Sequence, residues 1–262
     1  MHMYDIGVRK HALALVATGR SLNSVSKETG ISRAAIRAWQ ARIEPLPRLL
    51  RRAAPCPRCR TEPTAPRDTA AYSYLLGLYL GDGCISAHPR GGHHLRIACA
   101  DAWPGLIETC RTAITSVRPE DKAYLLQRQG CVMVTSYGRH WTCLFPQHGP
   151  GRKHKRPISL DDWQQRIVDD HPWELVRGLV HSDGCRVTNW TTRVVGGERK
   201  RYEYPRYFFT NTSTDIVKIY TDTLDGLGVE WRTLRQSRAA VTVSVARRES
   251  VALMDAHIGP KY

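Results

Sequence analysis

Leu75-Leu-Gly-Leu-Tyr-Leu-Gly-Asp-Gly83 and Val176-Arg-Gly-Leu-Val-His-Ser-Asp-Gly184 are two versions of one segment. Each has a Gly followed by Leu, a small residue four positions after that Gly, and a closing Asp-Gly. Residues four apart share one face of a helix, so Gly77 and Gly81 line one stripe, and Gly178 and Ser182 another. Helices with such stripes approach each other backbone to backbone. The last Gly of each copy is expected in the left-handed position that follows a helix, just before a strand. Close packing then sets Asp82 and Asp183 side by side at the foot of the helix pair.

That arrangement is unfavourable in two ways. A carboxylate at a helix C-terminus opposes the macrodipole at a cost of about 0.3–1 kcal/mol. Two neighbouring carboxylates also repel. A divalent cation removes both penalties, so Asp82 and Asp183 are read as ligands of Mg²⁺. Such an ion activates water and stabilises the leaving oxygen of a phosphodiester. A helix-ending Asp-Gly explains one copy, but not two copies with matching glycines.

The repeat extends beyond the motif. Downstream of each copy a β-rich stretch leads to an acidic helix start, Asp101 or Asp215, then to further strands and a last helix near Arg139 or Arg247. The second copy is longer between Asp183 and Asp215, which marks an insertion. Alternation predicts strands at His94–Ala100, Cys131–Ser136, Arg206–Thr210 and Ala240–Val245. Helices are expected at Pro104–Val117, Trp163–Asp169 and Ile216–Leu227, the last ended by Gly228.

Upstream, residues 7–44 carry helical periodicity broken twice. Val8, Leu13, Leu15 and Val16 mark a first helix ended by Gly19. Ser21 caps a second with Val25 on its buried side, closed by Gly30. Ser32 caps a third, which buries Ala35, Ile36 and Trp39. The segment Val25–Trp39 resembles the homeodomain-like helix-turn-helix of transposases and small regulators. By that resemblance Arg33, Arg37 and Gln40 read the major groove.

Residues 45–70 are rich in Pro and Arg and read as a stiff linker that tracks phosphates. They include Cys56-Pro-Arg-Cys59, two ligands of a possible zinc site that needs four. His140, Cys143 and His148 complete it only if the fold brings them near. The other six cysteines of the eight are scattered singly and read as small core residues.

Lys and Arg number 39 against 24 Asp and Glu, a net charge of +15, which points to a polyanionic partner such as nucleic acid. No apolar run reaches the roughly 18 residues that span a bilayer. The N-terminal residues lack a signal-peptide profile, so a cytoplasmic protein with reduced cysteines is expected, nucleoid-associated if prokaryotic.

Both motif segments resemble the LAGLIDADG (dodecapeptide, or DOD) motif of homing endonucleases, in the two-motif monomeric form, over about residues 70–262. The resemblance implies an α+β fold, a pseudo-twofold pair of αββαββα units, preceded here by a small all-α domain. The expected divisions are 1–44 helix-turn-helix, 45–70 linker, 71–160 first repeat and 161–262 second repeat. It also implies a saddle of two sheets in the major groove of double-stranded DNA, with Asp82 and Asp183 holding the catalytic Mg²⁺. A basic residue from each half is implied near the scissile phosphates, for which Arg139, Lys122 and Arg247 are the candidates. The motif's other acidic position is Leu80 in one copy and His181 in the other, and Arg177 is expected to face outward. Intein-type ends are not found, so a free-standing monomer is expected. The activity that follows is site-specific, Mg²⁺-dependent double-strand cleavage; the alternative is a transcriptional regulator that keeps the scaffold without cutting.

Overall fold

A computed structural model of the chain describes residues 4, 6–41, 43, 59, 65–89, 91–235 and 240–262. The chain divides into two compact units, 1–54 and 55–262.

The first unit holds α1 (Ile6–Ala17), α2 (Leu22–Thr29) and α3 (Arg33–Ala41). Its ends lie where the residue chemistry puts them. Ser21 Oγ accepts from the Ser24 N–H at 3.2 Å, and Ser32 Oγ accepts from Ala35 N–H at 3.2 Å. Gly30 closes α2 at φ +68°, a left-handed conformation that suits glycine. Ala12, Val25, Ile31, Ile36 and Trp39 form the core of this small unit.

The second unit is built twice on one plan. The first half runs α4 (Thr69–Asp82), β1 (Gly83–Ala87), β2 (His93–Ala100), α5 (Pro104–Val117), β3 (Ala123–Arg128), β4 (Cys131–Gly138) and α6 (Trp141–Leu144). After α7 (Asp162–Asp170), the second half runs α8 (Pro172–Asp183), β5 (Gly184–Val195), β6 (Glu198–Asn211), α9 (Thr214–Gly226), β7 (Arg232–Arg235), β8 (Val241–Val245) and α10 (Arg248–Ile258). Each half is therefore αββαββα. The two antiparallel four-stranded sheets have equivalent orders, β1-β2-β4-β3 and β5-β6-β8-β7.

In the first sheet Leu95, Ile97, Val132 and Val134 point into the core. In the second, Tyr207, Phe209, Val243 and Val245 do so. Both layers join one continuous core around α4, whose residues Tyr72–Leu80 are all buried. A helix apolar all round belongs at the centre of a fold, and α4 lies there against α8.

The insertion of the second half is now located. It lengthens the β5–β6 hairpin, which pairs from Gly184↔Phe209 out to Val195↔Glu198. Only Tyr207–Asn211 of β6 also pair with β8, so the rest projects as a two-stranded ribbon. Gly196 and Gly197, at φ +64° and +85°, supply the two left-handed residues of its tip. The strand-favouring residues of Arg206–Thr210 marked only the part of β6 that enters the sheet.

Candidate functional site

The two repeated segments are the central helix pair. A Cβ added at Gly178 would lie 2.2 Å from the Tyr74 carbonyl oxygen, and one at Gly77 would lie 2.6 Å from that of Leu175. At Gly81 it would lie 2.1 Å from Ser182 Oγ. The stripes of small residues thus face each other with no room for a methyl group. The same hypothetical atom at Gly81 lies 3.0 Å from Asp183 Oδ2, so the Asp183 carboxylate of α8 abuts the residue next to Asp82 on α4.

The glycines after the two acids serve a purpose other than the one expected. Gly83 (φ −87°, ψ 152°) and Gly184 (φ −110°, ψ 170°) are extended, not left-handed. Their missing side chains matter because each chain turns straight from helix into strand. A Cβ at Gly83 would lie 2.5 Å from Tyr79 Cα, and one at Gly184 would lie 2.7 Å from Val180 Cα.

The carboxylates are held in an electrostatically tense setting. Burial, then the Asp82 charge, pushes the Asp183 carboxyl up to about 6, against the pull of Asn211, Lys153 and Lys261. Burial also raises Asp82, against Lys153 and Lys261. Asn211 at the end of β6 donates from Nδ2 to Asp183 Oδ2 at 2.7 Å and fixes that carboxylate.

Two lysines complete the site. Lys153, in a single 3₁₀ turn at Lys153–Lys155, donates to the carbonyls of Tyr79 and Gly81, the latter at 2.9 Å. Lys261, past α10, donates to Gly184 O at 2.6 Å and Ser182 O at 3.4 Å. Each ammonium thus sits on the carbonyl end of one motif helix, where the dipole favours a cation. Burial pushes Lys153 down to about 8, although Asp183 and Asp82 pull it upward. Lys261 is lowered too, chiefly by burial. A cleft of about 320 Å³ opens here, lined among others by Gly81, Lys153, Asp183, Thr210 and Asn211.

Lys122 and Arg139 are exposed; Arg247 is exposed and paired with Glu230. Among the described residues, the cations that act on the two carboxylates are Lys153 and Lys261, which no motif marked. The available signal was position, since each lysine follows the last helix of its own repeat. Arg33, Arg37 and Gln40 are exposed along α3. Arg177, expected to face outward, is half-buried and lies 4.3 Å from the Tyr74 ring of α4, paired with Glu174 at 2.6 Å. His181 and Tyr74 share a hydrogen bond of 3.0 Å across the helix pair, and burial drives the imidazole down to about 4, so it stays neutral. Cys56 lies outside the described residues, while Cys59 meets His140 and Cys143. Not all the single cysteines are core residues: Cys99 and Cys110 are buried, but Cys84 and Cys185, each following an Asp-Gly, are exposed. Among the described residues no helix is long and apolar enough to cross a membrane.

No family model and no curated protein matches the chain. Among solved structures, the homing endonuclease I-DmoI in complex with DNA and Mn is similar at 12% identity and TM-score 0.49, covering 74% of this chain and 99% of that one. The LAGLIDADG meganuclease I-AabMI bound to uncleaved DNA aligns at 12% identity and TM-score 0.46, over 71% of this chain and 82% of that one. The N-terminal LAGLIDADG domain of DUF199/WhiA aligns at 10% identity and TM-score 0.45, over 77% and 86%.

Proposed function

We propose that the chain is a site-specific double-strand DNA endonuclease that hydrolyses phosphodiesters with Mg²⁺. One observation carries this reading: two carboxylates, the exposed Asp82 and the half-buried Asp183, close enough for the charge of one to raise the other, meet at the feet of α4 and α8 with a lysine bonded to each helix end. A protein that only binds DNA has no use for such a costly pair. The donors suit the ion, because hard carboxylate oxygens are what Mg²⁺ prefers. Asp82 and Asp183 would hold it, and bound metal supplies an activated water and charge neutralisation at the leaving oxygen.

The chain's own residues do the rest. Asn211 keeps the Asp183 carboxylate oriented. Lys153 and Lys261 place positive charge beside the cleft, where a phosphate would sit. Pairing partners on an antiparallel ladder share a face, so Asn189, Arg193, Lys200, Tyr202, Tyr204 and Arg206 lie on the face of the β5–β6 ribbon opposite Tyr207 and Phe209. A two-stranded ribbon of this kind enters the major groove, with cations for phosphates and polar groups for base edges. Arg33, Arg37 and Gln40 on α3 would extend the contact as the reading helix of a helix-turn-helix. The duplicated halves stand in for two subunits, so one chain suffices for one site.

The three-helix unit favours a second reading, a regulator that binds without cutting. Duplexes selected from a random library by the full chain separate the two. Under the nuclease reading, selected duplexes are cut in both strands when Mg²⁺ is added. Tight, specific binding with no cutting in Mg²⁺ or Mn²⁺ leaves the regulator.

A further inference from the structure

Apart from the carboxylate pair, a second set of metal-binding side chains converges. Strand β4 ends at Gly138, and the chain turns through Arg139 and His140 into α6, where the Cys143 N–H donates to the His140 carbonyl at 2.9 Å. Three positions apart, His140 and Cys143 lie on the same side of this turn. Trp141 and Leu144, both fully buried, fasten the other side into the core. Cys59 arrives from the segment before α4.

The three ligand atoms form a compact triangle. Cys59 Sγ lies 3.2 Å from His140 Nδ1 and 3.6 Å from Cys143 Sγ; Cys143 Sγ lies 3.9 Å from His140 Nδ1. Zinc–sulfur bonds of about 2.3 Å and zinc–nitrogen bonds of about 2.0–2.1 Å give a tetrahedron with edges of roughly 3.6–3.8 Å. The observed edges scatter around that length. A disulfide would hold its sulfurs about 2.05 Å apart, so Cys59 and Cys143 are a dithiol. Two thiolates and an imidazole suit zinc better than a hard cation such as Mg²⁺. All three residues are half-buried, enough to restrict water without denying an ion entry.

We propose that Cys59, His140 and Cys143 bind one structural zinc ion, which pins Cys59 to the turn after β4. The described residues supply three of the four ligands that a structural site takes. The ion is separate from the proposed catalytic Mg²⁺ and independent of whether the protein cuts DNA.

The test is metal analysis of the full chain, purified without chelator. We expect about one zinc per chain, retained in the D82N/D183N double variant and lost in C59S, H140A and C143S. Stripped wild-type protein refilled with Co²⁺ should show a thiolate-to-cobalt charge-transfer band and the intense visible bands of a tetrahedral site. That readout needs no variant to fold. Wild-type protein with neither zinc nor a tetrahedral Co²⁺ spectrum overturns the proposal. So does zinc that survives in C59S and C143S, or that disappears from the D82N/D183N protein instead.

Discussion

Lys153 Nζ donates to the Gly81 carbonyl at 2.9 Å, one residue before Asp82, and Lys261 Nζ makes the equivalent contact at the Ser182 carbonyl, one residue before Asp183, at 3.4 Å. The pseudo-symmetry of the fold thus reaches down to the cations around its two acids. If those ammonium groups face the phosphates, K153M and K261M should each slow cleavage roughly 10²–10³-fold, the size seen when one positioned charge-stabilising donor is removed. Specific binding should weaken by less than about tenfold, as for a single phosphate contact. Single-turnover cleavage beside equilibrium binding checks this. Unchanged cleavage in both variants would assign the lysines to helix capping alone.

The helix pair should resist any added bulk. G178A drives a methyl group into the Tyr74 carbonyl, and G77A drives one into that of Leu175. Each should destabilise the protein by about 1–3 kcal/mol in guanidinium unfolding, the cost of overpacking. Gly226, at the end of α9, has nothing within 4 Å of its would-be Cβ. G226A should therefore be neutral, or stabilise by up to about 1 kcal/mol.

A pH dependence follows from Asp183. Its carboxyl titrates at about 6 in the fold, raised by burial and by Asp82, against roughly 3.9 in an unfolded chain. Between those values the native state holds a proton that the unfolded state has released. Stability of the metal-free protein should therefore fall as pH rises through this window and stay reduced above it. With solvent screening of a partly exposed group, the loss is about 1–2 kcal/mol. D183N should recover that amount at about pH 7.5 but not near pH 4. Denaturation of both proteins at the two pH values decides it; equal stability at the higher pH contradicts the strained pair.

The first unit offers a separate expectation. R33A and R37A on α3 should each lower the slope of log K against log salt by about one and shorten the protected footprint on DNA. An unchanged footprint would place α3 off the DNA.

The fold was legible because the motif pattern recurs. Small residues four apart, Asp-Gly ends and a repeated order of elements all survive as local patterns, and α5 spans Pro104–Val117 as its periodicity indicates. The length of the β5–β6 ribbon was not legible. Its outer half is exposed on both faces and has no apolar alternation to mark it. The acids were visible because they sit inside a repeated motif. Lys153 and Lys261 were hidden because a lysine that caps another element's carbonyls has no periodicity of its own. The glycines after the acids were recognised, but their reason lay in crowding against the helical turn just before them, not in backbone handedness. His140 and Cys143 could be named as ligands, yet only the turn after β4 shows them meeting Cys59.

The central claim is that Asp82 and Asp183 form one metal-dependent cutting site. Its most direct measurement compares wild type, D82N and D183N on a selected duplex in Mg²⁺, with binding followed in parallel. We expect wild type to cut both strands and each variant to lose cleavage by at least about 10³-fold while binding the duplex as tightly or more tightly. Cleavage that persists in both variants, or a wild type that binds and never cuts, would contradict the account.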